Sequence, residues 1–229
     1  MLPTDIDQVS ALRRTALFAT ADDSTLHRLA QASRRRRLAK GATLAISGDA
    51  PACMWVVVSG LLRVFVTSFN GDEPTLVVLA AGDHVGELGV LDNIPRSASI
   101  GTLRASEVVE VPAAAFRAAY QADPAIPMQL VHLLAHRLRS TSDSLADLTY
   151  LDLGARLAKY LLNQSDRDRT TTVTVELTQG ELGQMLGGAR QTVNQLLQSL
   201  ERAGLIEVSG RVVRLVDVDG LRLRSLSSP

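Results

Sequence analysis

The chain has 229 residues, enough for two ordinary domains that each bury a core of their own. Its 24 basic residues balance its 24 acidic residues and only 3% of its residues are aromatic. This composition favours neither a generally basic nucleic-acid binder nor a protein that stacks many single-stranded bases. One cysteine, Cys53, excludes a disulfide framework within the chain and any four-cysteine zinc or iron-sulfur site.

The amino-terminal sequence does not resemble an export or membrane-insertion signal. Residues 1–5 lack a basic region followed by an apolar stretch, and no apolar run approaches the roughly eighteen residues of a membrane span. We therefore expect a soluble cytoplasmic protein with no membrane partner.

The first predicted element is a helix over residues 22–33. Its apolar side chains recur at helical spacing, and it begins with Asp22 and Asp23, whose carboxylates can cap a helix start. From about residue 36 to residue 111 the pattern changes to short apolar or alternating runs separated by glycine-containing turns, which is typical of strands. We therefore predict a small antiparallel β-roll after the helix.

One hairpin of this β-roll is predicted from the dipeptide Asn70-Gly71. It lies between the apolar runs 61–66 and 75–79. A type I′ turn needs positive φ at both central residues, a conformation that asparagine and glycine adopt more easily than other residues. The sequence therefore predicts a type I′ hairpin at this point.

A long helix is predicted from about Pro127 to Leu148. Its apolar stripe, spaced 3, 4, 3, 4 and 3, is typical of a helix that packs along another helix. We expect this seam to join two copies of the chain in a homodimer; a helix lying on its own β-roll would use the same leucines. The members of the stripe are Val131, Leu134, Leu138, Thr141, Leu145 and Leu148.

The last third of the chain predicts a helix-turn-helix motif followed by a hairpin. A helix over about 153–164 and a polar loop over 165–172 come first. Thr178 and Glu181 then form a capping box that opens a helix to about Leu186. After the tight turn at Gly187-Gly188, a second helix presents one apolar face, and Gly204 stands at the expected stop. The hairpin is expected over 205–208 and 212–216, and the second helix's apolar residues are Val193, Leu196, Leu197 and Leu200.

Residues 86–99, Gly-Glu-Leu-Gly-Val-Leu-Asp-Asn-Ile-Pro-Arg-Ser-Ala-Ser, resemble the phosphate-binding cassette of cyclic-nucleotide-binding domains. A cyclic nucleotide offers a ribose 2′-hydroxyl, from which Glu87 can accept a hydrogen bond. It also offers a singly charged phosphate, which the planar fork of Arg96 can bind. Gly86 and Gly89 allow the backbone to approach a ligand closely. The candidate ligand-binding residues of the cassette are Gly86, Glu87, Leu88, Arg96, Ser97 and Ala98.

Taken in order, the cassette, the long helix and the helix-turn-helix resemble the Crp/Fnr family of transcription regulators over about residues 17–216. The resemblance implies an α+β protein with a β-roll cyclic-nucleotide-binding domain (1–125), a dimerisation helix (126–150) and a winged helix-turn-helix DNA-binding domain (151–229). It also implies cyclic AMP as effector, with Thr141 contacting the adenine in its own subunit and Ser142 contacting the ligand of the other subunit.

The same resemblance assigns DNA reading to the start of the second helix, which enters the major groove in this family. Arg190 stands where the family has its guanine-reading arginine, and Thr192 fits a phosphate contact. Ala189, Gln191 and Gln195 replace the family's usual serine, glutamate and second basic residue, so neighbouring operator positions are expected to differ. The candidate DNA-binding residues are Thr178, Gln179, Arg190, Gln191, Thr192, Asn194 and Gln195.

Other functions remain open at this stage. A Crp-type regulator could bind DNA without cyclic AMP or with another ligand such as cyclic GMP, and a regulatory subunit of an enzyme could carry the same cassette. The chain shows no set of nucleophile, base and orienting residue, and His132 and His136 have no evident third metal ligand, so we expect neither an enzyme nor a metal, haem or iron-sulfur protein. RNA polymerase is a candidate partner, although the loop 163–172 is shorter than in well-known activators, so activation and repression are both open.

Overall fold

The computed structural model describes the backbone of residues 3–71 and 73–226, and the side chains of all of these except residues 3–7 and 168. The described chain forms two compact units, which divide between Arg137 and Leu138. We call them the first unit and the second unit. The division falls inside a long helix, and the three-part organisation predicted from the sequence stays a prediction.

The first unit contains two four-stranded antiparallel sheets with helices before, between and after their strands. One sheet has the order β1-β8-β3-β6 and the other β2-β7-β4-β5. The strands are β1 (Arg34–Leu38), β2 (Thr43–Ala45), β3 (Cys53–Ser59), β4 (Leu62–Phe65), β5 (Thr75–Leu79), β6 (His84–Val85), β7 (Ser99–Thr102) and β8 (Ser106–Pro112). The helices are α1 (Pro3–Arg13), a 3-10 turn (Ala16–Phe18), α2 (Asp23–Ala32), α3 (Glu87–Asp92), α4 (Ala113–Ala122) and the start of α5 (Ala125–Tyr150).

Strand β3 lies between the two apolar cores of this unit because its successive side chains point to opposite faces. Met54 and Val56 pack with the helices, among them Phe18 of the 3-10 turn. Trp55 and Val57 pack between the two sheets. The predicted β-roll is therefore confirmed, and its two-sided burial explains why residues 53–58 are almost continuously apolar.

The predicted hairpin forms, but its predicted turn type is wrong. Strands β4 and β5 pair antiparallel, and Gly71 has φ +83°. Asn70 does not have positive φ, because Asn93 and Arg169 are the two non-glycine residues with positive φ in the described part of the chain. The Gly71 amide instead donates to the Ser68 carbonyl at 3.0 Å, since a connection longer than two residues does not need a type I′ turn.

The second unit is a helical domain with a small sheet. Its helices after α5 are α6 (Leu153–Asp168), α7 (Gln179–Leu186), α8 (Arg190–Arg202) and α9 (Val218–Arg224), and its strands are β9 (Thr172–Thr174), β10 (Ile206–Ser209) and β11 (Val212–Leu215). Strands β10, β11 and β9 form one antiparallel sheet. The predicted wing hairpin is confirmed and gains a third strand.

The polar loop predicted over 165–172 is wrong. Helix α6 continues through Asp168 and ends where Arg169 takes a left-handed conformation with φ +51°. Residues 172–174 then form strand β9. The last turn of α6 is as polar as a surface loop, so the composition of the segment alone did not distinguish a helix end from a loop.

The predicted seam on α5 is mostly exposed in the described chain. Four of its apolar side chains are between 54% and 69% exposed: Val131, Leu138, Leu145 and Leu148. Leu134 is half-buried and packs against the core of the first unit. At this one position the structure agrees with the alternative interpretation, a helix that lies on its own β-roll. No helix within residues 3–71 and 73–226 is long and apolar enough to cross a membrane.

Candidate functional site

The cassette starts at a left-handed glycine and is tied to the loop that precedes β3. Gly86 has φ +93° and precedes α3, and Asn93 ends that helix with φ +54°. The Gly48 amide donates to the Arg96 carbonyl at 2.8 Å, and the Arg96 amide donates to the Asp49 carbonyl at 2.9 Å. These two backbone bonds fix the position of Arg96 in the cassette.

The Arg96 side chain points into the protein rather than into solvent, and only 6% of the residue is exposed. Its Nη1 donates to the Gly86 carbonyl at 2.8 Å, and its Nη2 donates to the Cys53 carbonyl. The guanidinium carbon lies 4.9 Å from the centre of the Trp55 ring. Burial lowers the pKa of Arg96 from its ordinary value, and the nearby Cys53, Glu87 and Asp49 oppose that shift.

Gly86 makes room for this arginine. A Cβ atom on Gly86 would lie 2.6 Å from Arg96 Nη1, and the positive φ of Gly86 would also strain any other residue there. At Gly89 the atom that a Cβ would approach most closely is the Ile94 carbonyl oxygen, at 3.3 Å. The close approach of a ligand to these glycines stays a prediction.

Glu87 is the most deeply buried carboxylate of the cassette, with 1% of the residue exposed. Its Oε1 accepts from Arg137 Nη1 at 2.5 Å. Its Oε2 is buried and has no hydrogen-bond partner among the described residues. A buried acceptor without a donor costs about 1–3 kcal/mol, so this oxygen fits a donor brought by a ligand, such as a ribose hydroxyl.

Arg137 and His84 complete this cluster, and sequence reasoning assigned neither residue to the site. Arg137 Nη2 lies 3.3 Å from His84 Nε2 and donates to the His84 carbonyl at 3.2 Å. His84 is 3% exposed, and its Nε2 is 3.7 Å from Glu87 Oε1. The one sequence feature that could have pointed to Arg137 is its place one helical turn before Thr141.

The charges of this cluster suit a singly charged anion. Arg96 and Arg137 carry two positive charges, and Glu87 carries one negative charge, which leaves a net charge of about +1 among the three groups. Within the described part of the chain, no group of three His, Cys, Asp or Glu side chains could hold a metal ion.

The other predicted ligand residues lie in different surroundings. Leu88 and Ser97 are exposed, and Ala98 is half-buried. Thr141 and Ser142 belong to the part of α5 in the second unit, where both are exposed and the Ser142 hydroxyl donates to the Leu138 carbonyl at 3.0 Å. The structure buries both Glu87 and Arg96 within the cassette, and the ligand roles of all eight predicted residues stay predictions.

The helix-turn-helix forms as the sequence predicts. The Thr178 hydroxyl accepts from the Glu181 amide at 3.2 Å, and Glu181 Oε2 accepts from the Thr178 amide at 2.6 Å. Gly187 ends α7 with φ +73°. Gly183 makes the turn possible, because a Cβ atom there would lie 2.7 Å from the carbonyl oxygen of Gly188. Gly183 was not singled out from the sequence, since its role depends on a backbone approach that only the fold shows.

The start of α8 is anchored by apolar residues and exposes its polar ones. Val193, Leu197 and Leu200 are buried, whereas the side chains on this helix that are predicted to read DNA are exposed; of the two predicted readers before it, Thr178 is exposed and Gln179 is half-buried. Ala189 precedes the helix without a side-chain cap, as its methyl group dictates. No side chain in the described chain pairs with Arg190, while Gln179 Nε2 lies 3.5 Å from Asn194 Oδ1. The exposed predicted readers on α8 are Arg190, Gln191, Thr192, Asn194 and Gln195.

Comparison with known proteins gives the same two parts in the same order. Residues 35–123 match the cyclic nucleotide-binding domain, and residues 155–224 match the Crp-like helix-turn-helix domain. The chain is 31% identical over 219 residues to a CRP-like cAMP-activated global transcriptional regulator of Mycobacterium tuberculosis, covering 93% of this chain and 98% of that protein. It is 33% identical over 176 residues to the cAMP-activated global transcriptional regulator CRP of Salmonella typhimurium, covering 75% of this chain and 84% of that protein.

A solved structure shows the same fold at lower identity. The c-di-GMP responsive global regulator CLP of Xanthomonas campestris superposes with a TM-score of 0.70 at 23% identity, covering 85% of this chain and 99% of that one. The fold and the sequence relatives therefore agree on one class of protein.

This chain belongs to the Crp/Fnr family of transcription regulators. It is a DNA-binding transcription regulator with a cyclic-nucleotide-binding domain, and like its relatives it is not an enzyme. The predicted α+β order of β-roll and helix-turn-helix is confirmed. A regulatory subunit of an enzyme is set aside, because such a subunit would give the helix-turn-helix domain no role.

Proposed function

We propose that this regulator binds cyclic AMP in its cassette and that the bound nucleotide promotes binding to a two-fold DNA operator. The observation that carries the proposal is the buried, partnerless Oε2 of Glu87. An apolar ligand would leave this oxygen unsatisfied, whereas a ribose 2′-hydroxyl would donate to it. The sequence relatives that are cAMP-activated regulators support the same effector.

Arg96 supplies the cation for the cyclic phosphate. Its Nε is also buried without a hydrogen-bond partner among the described residues, and its two terminal nitrogens donate to backbone carbonyls. A phosphate would compete with those carbonyls for N–H groups, and a charge-assisted bond is the stronger one. Thr141 and Ser142 remain our candidates for the adenine contact, on the resemblance in sequence, and Ser97 and Ala98 remain candidates for the phosphate.

Binding regulates DNA affinity only if the nucleotide prefers the state that fits the operator. The two recognition helices of a dimer must match successive major grooves, about 34 Å apart. A near-complete switch needs a preference of about 5.5 kcal/mol for that state. We propose that cyclic AMP supplies this preference, that the protein acts in the cytoplasm and that RNA polymerase is a further partner.

The proposal predicts that cyclic AMP tightens specific DNA binding. An operator is first selected from randomised duplexes with the full-length protein, and its affinity is then measured by fluorescence anisotropy with and without cyclic AMP. We expect DNA affinity to increase at least tenfold with cyclic AMP, which corresponds to about 1.4 kcal/mol of binding free energy. Cyclic GMP should increase it less, because its purine edge differs. Cyclic di-GMP is the third nucleotide, because the structural relative CLP responds to it.

Two results would contradict the proposal in different ways. Equal DNA affinity with and without every nucleotide would mean that the protein binds DNA constitutively. A response to cyclic GMP or cyclic di-GMP alone would keep the regulator and replace the effector.

We also propose that the chain is a homodimer joined along α5. The exposed apolar side chains of the seam support this, since water contact with four large apolar residues on one helix is unfavourable. A partner helix would cover them at the spacing of a parallel coiled coil. Leu134 contributes to the first unit's core and, at most in part, to the seam.

Replacing Leu145 with glutamate is expected to dissociate the dimer, because it places a charge in the seam. Ala146→Glu is the matched control, since Ala146 is an exposed neighbour that lies outside the 3, 4, 3 spacing. Light scattering should give the mass of two chains for the wild type and Ala146→Glu, and of one chain, 24.6 kDa, for Leu145→Glu at low micromolar concentration. A wild-type protein with the mass of one chain would refute the dimer.

A further inference from the structure

We propose that His84 is a positioning residue of the nucleotide site, whose neutral imidazole holds Arg137 against Glu87. The proposal rests on the proposed function, because it concerns the carboxylate that we assign to the ribose hydroxyl. It adds a dependence of nucleotide affinity on pH.

Among the described residues, Arg137 is the hydrogen-bond neighbour of the His84 ring. His84 lies in the two-residue strand β6, where it is paired with Val56 of β3 and is almost completely buried. Its Nε2 lies 3.3 Å from Arg137 Nη2. Arginine has N–H donors and no acceptor, so Nε2 must be the accepting nitrogen and the ring proton must be on Nδ1. The interaction therefore requires the neutral imidazole.

Arg137 joins His84 to the carboxylate. It donates from Nη2 to the His84 carbonyl and from Nη1 to Glu87 Oε1. With Oε1 occupied in this way, Oε2 is the oxygen left for a ligand. His84 thus acts on the nucleotide through Arg137 and Glu87, without a contact of its own.

A proton on Nε2 would undo this arrangement. The new N–H would face the Arg137 donor, and the imidazolium, 3.7 Å from Glu87 Oε1, would compete with Arg137 for that oxygen. Burial lowers the pKa of His84 below 6.5, Glu87 and Asp83 oppose the shift, and Arg137 adds to it. Burial is the largest of these effects and outweighs the two carboxylates, so the ring is neutral at neutral pH.

The sign of the pH effect follows from the lowered pKa. The neutral ring, which the site needs, predominates above the pKa and is lost as the pH falls through it. Nucleotide affinity should therefore be constant at and above neutral pH and fall only as the pH drops below the lowered pKa of His84, by at most about tenfold per pH unit for one coupled proton.

The test compares cyclic AMP affinity by calorimetry, from about pH 5.5 to about pH 7.5, in four full-length proteins. His84→Gln keeps an acceptor without a titrating group, so it should bind like the wild type at the upper pH and lose the fall at the lower pH. His84→Phe keeps a ring without an acceptor, so it should bind several-fold more weakly at all pH values, with a flat profile. His132→Phe changes an exposed histidine of α5 and should keep the wild-type profile.

Thermal unfolding of each variant shows that it is folded at both ends of the pH range. A wild-type slope retained in both His84 variants would overturn the role of His84 and leave the proposed function intact, as would wild-type affinity in His84→Phe at the upper pH. Absence of cyclic AMP binding by the wild type at every pH would instead refute the proposed function, and this proposal with it.

Discussion

Replacing Arg96 with leucine is expected to remove cyclic-nucleotide binding while leaving a folded protein. The guanidinium is the cation of the cassette, and each hydrogen bond between it and the phosphate is worth about 1.5–3 kcal/mol. Loss of two such bonds predicts a weakening of about a hundredfold or more. Calorimetric titration of the full-length variant with cyclic AMP measures this loss directly.

The same substitution also removes structural hydrogen bonds, so its controls must separate folding from binding. Arg96 donates to the carbonyls of Gly86 and Cys53, which leucine would leave without these donors. Arg13→Leu is the matched control, because Arg13 of α1 likewise donates to two backbone carbonyls, those of Ala19 and Ala21. It should lower the unfolding temperature without changing nucleotide affinity.

Arg96→Lys distinguishes charge from geometry. Lysine keeps the positive charge and loses the planar fork that binds two phosphate oxygens, so an intermediate affinity is expected. If Arg96→Leu bound cyclic AMP as tightly as the wild type, the cassette would not be the nucleotide site.

The features that the sequence predicted well are those whose chemistry is local. The capping box joins Thr178 and Glu181, three residues apart, and the cassette places Glu87 and Arg96 within ten residues of each other. In both cases the residue types, their spacing and the turn glycines are visible in a short window. The structure therefore confirmed the capping box, and it places Glu87 at the start of α3 and Arg96 just after that helix.

The features that the sequence missed depend on contacts between distant segments. Glu87 meets Arg137, fifty residues further along the chain, and nothing local distinguishes Arg137 from Arg139. The chemical partner of Glu87 is decided by how α5 packs against the first unit. The same reason explains why the room that Gly86 leaves for Arg96 was not visible in the sequence.

Composition also misled at surface elements. A polar helix end and a polar loop have similar sequences, so the end of α6 was predicted as loop until the left-handed Arg169 showed where the helix stops. The Asn-Gly dipeptide similarly favours a type I′ turn only when two residues join the strands. In this chain nine residues separate β4 from β5, and the dipeptide takes another turn.

Replacing Arg190 with alanine is expected to cost about 1–3 kcal/mol per half-site and to relax the preference for guanine at one operator position. The side chain is exposed at the start of α8 and has no partner to give up among the described residues, so its donors are available to a base edge. Arginine binds guanine O6 and N7 together, which no other base offers in that pattern. Alanine would also remove one positive charge from the DNA-facing surface.

The control must separate that charge from base reading. Arg202→Ala makes the same charge change in the last turn of the same helix, where Arg202 donates to the Gln198 carbonyl. It should weaken all duplexes by a similar small factor and leave the selected sequence unchanged. Selection from randomised duplexes with each variant, followed by anisotropy at fixed salt, gives both quantities.

The selected operator also tests the unusual residues beside Arg190. Gln191 can pair with adenine N6 and N7, whereas the glutamate usual at its position in the family accepts from cytosine N4. Gln195 stands where the family usually has a second basic residue. We therefore expect a half-site that keeps one guanine and differs from the family's usual sequence at neighbouring positions. Recovery of that usual half-site unchanged would refute the role of Gln191 and Gln195. If Arg190→Ala still selected the same guanine, that base would be read by another residue of the exposed turn.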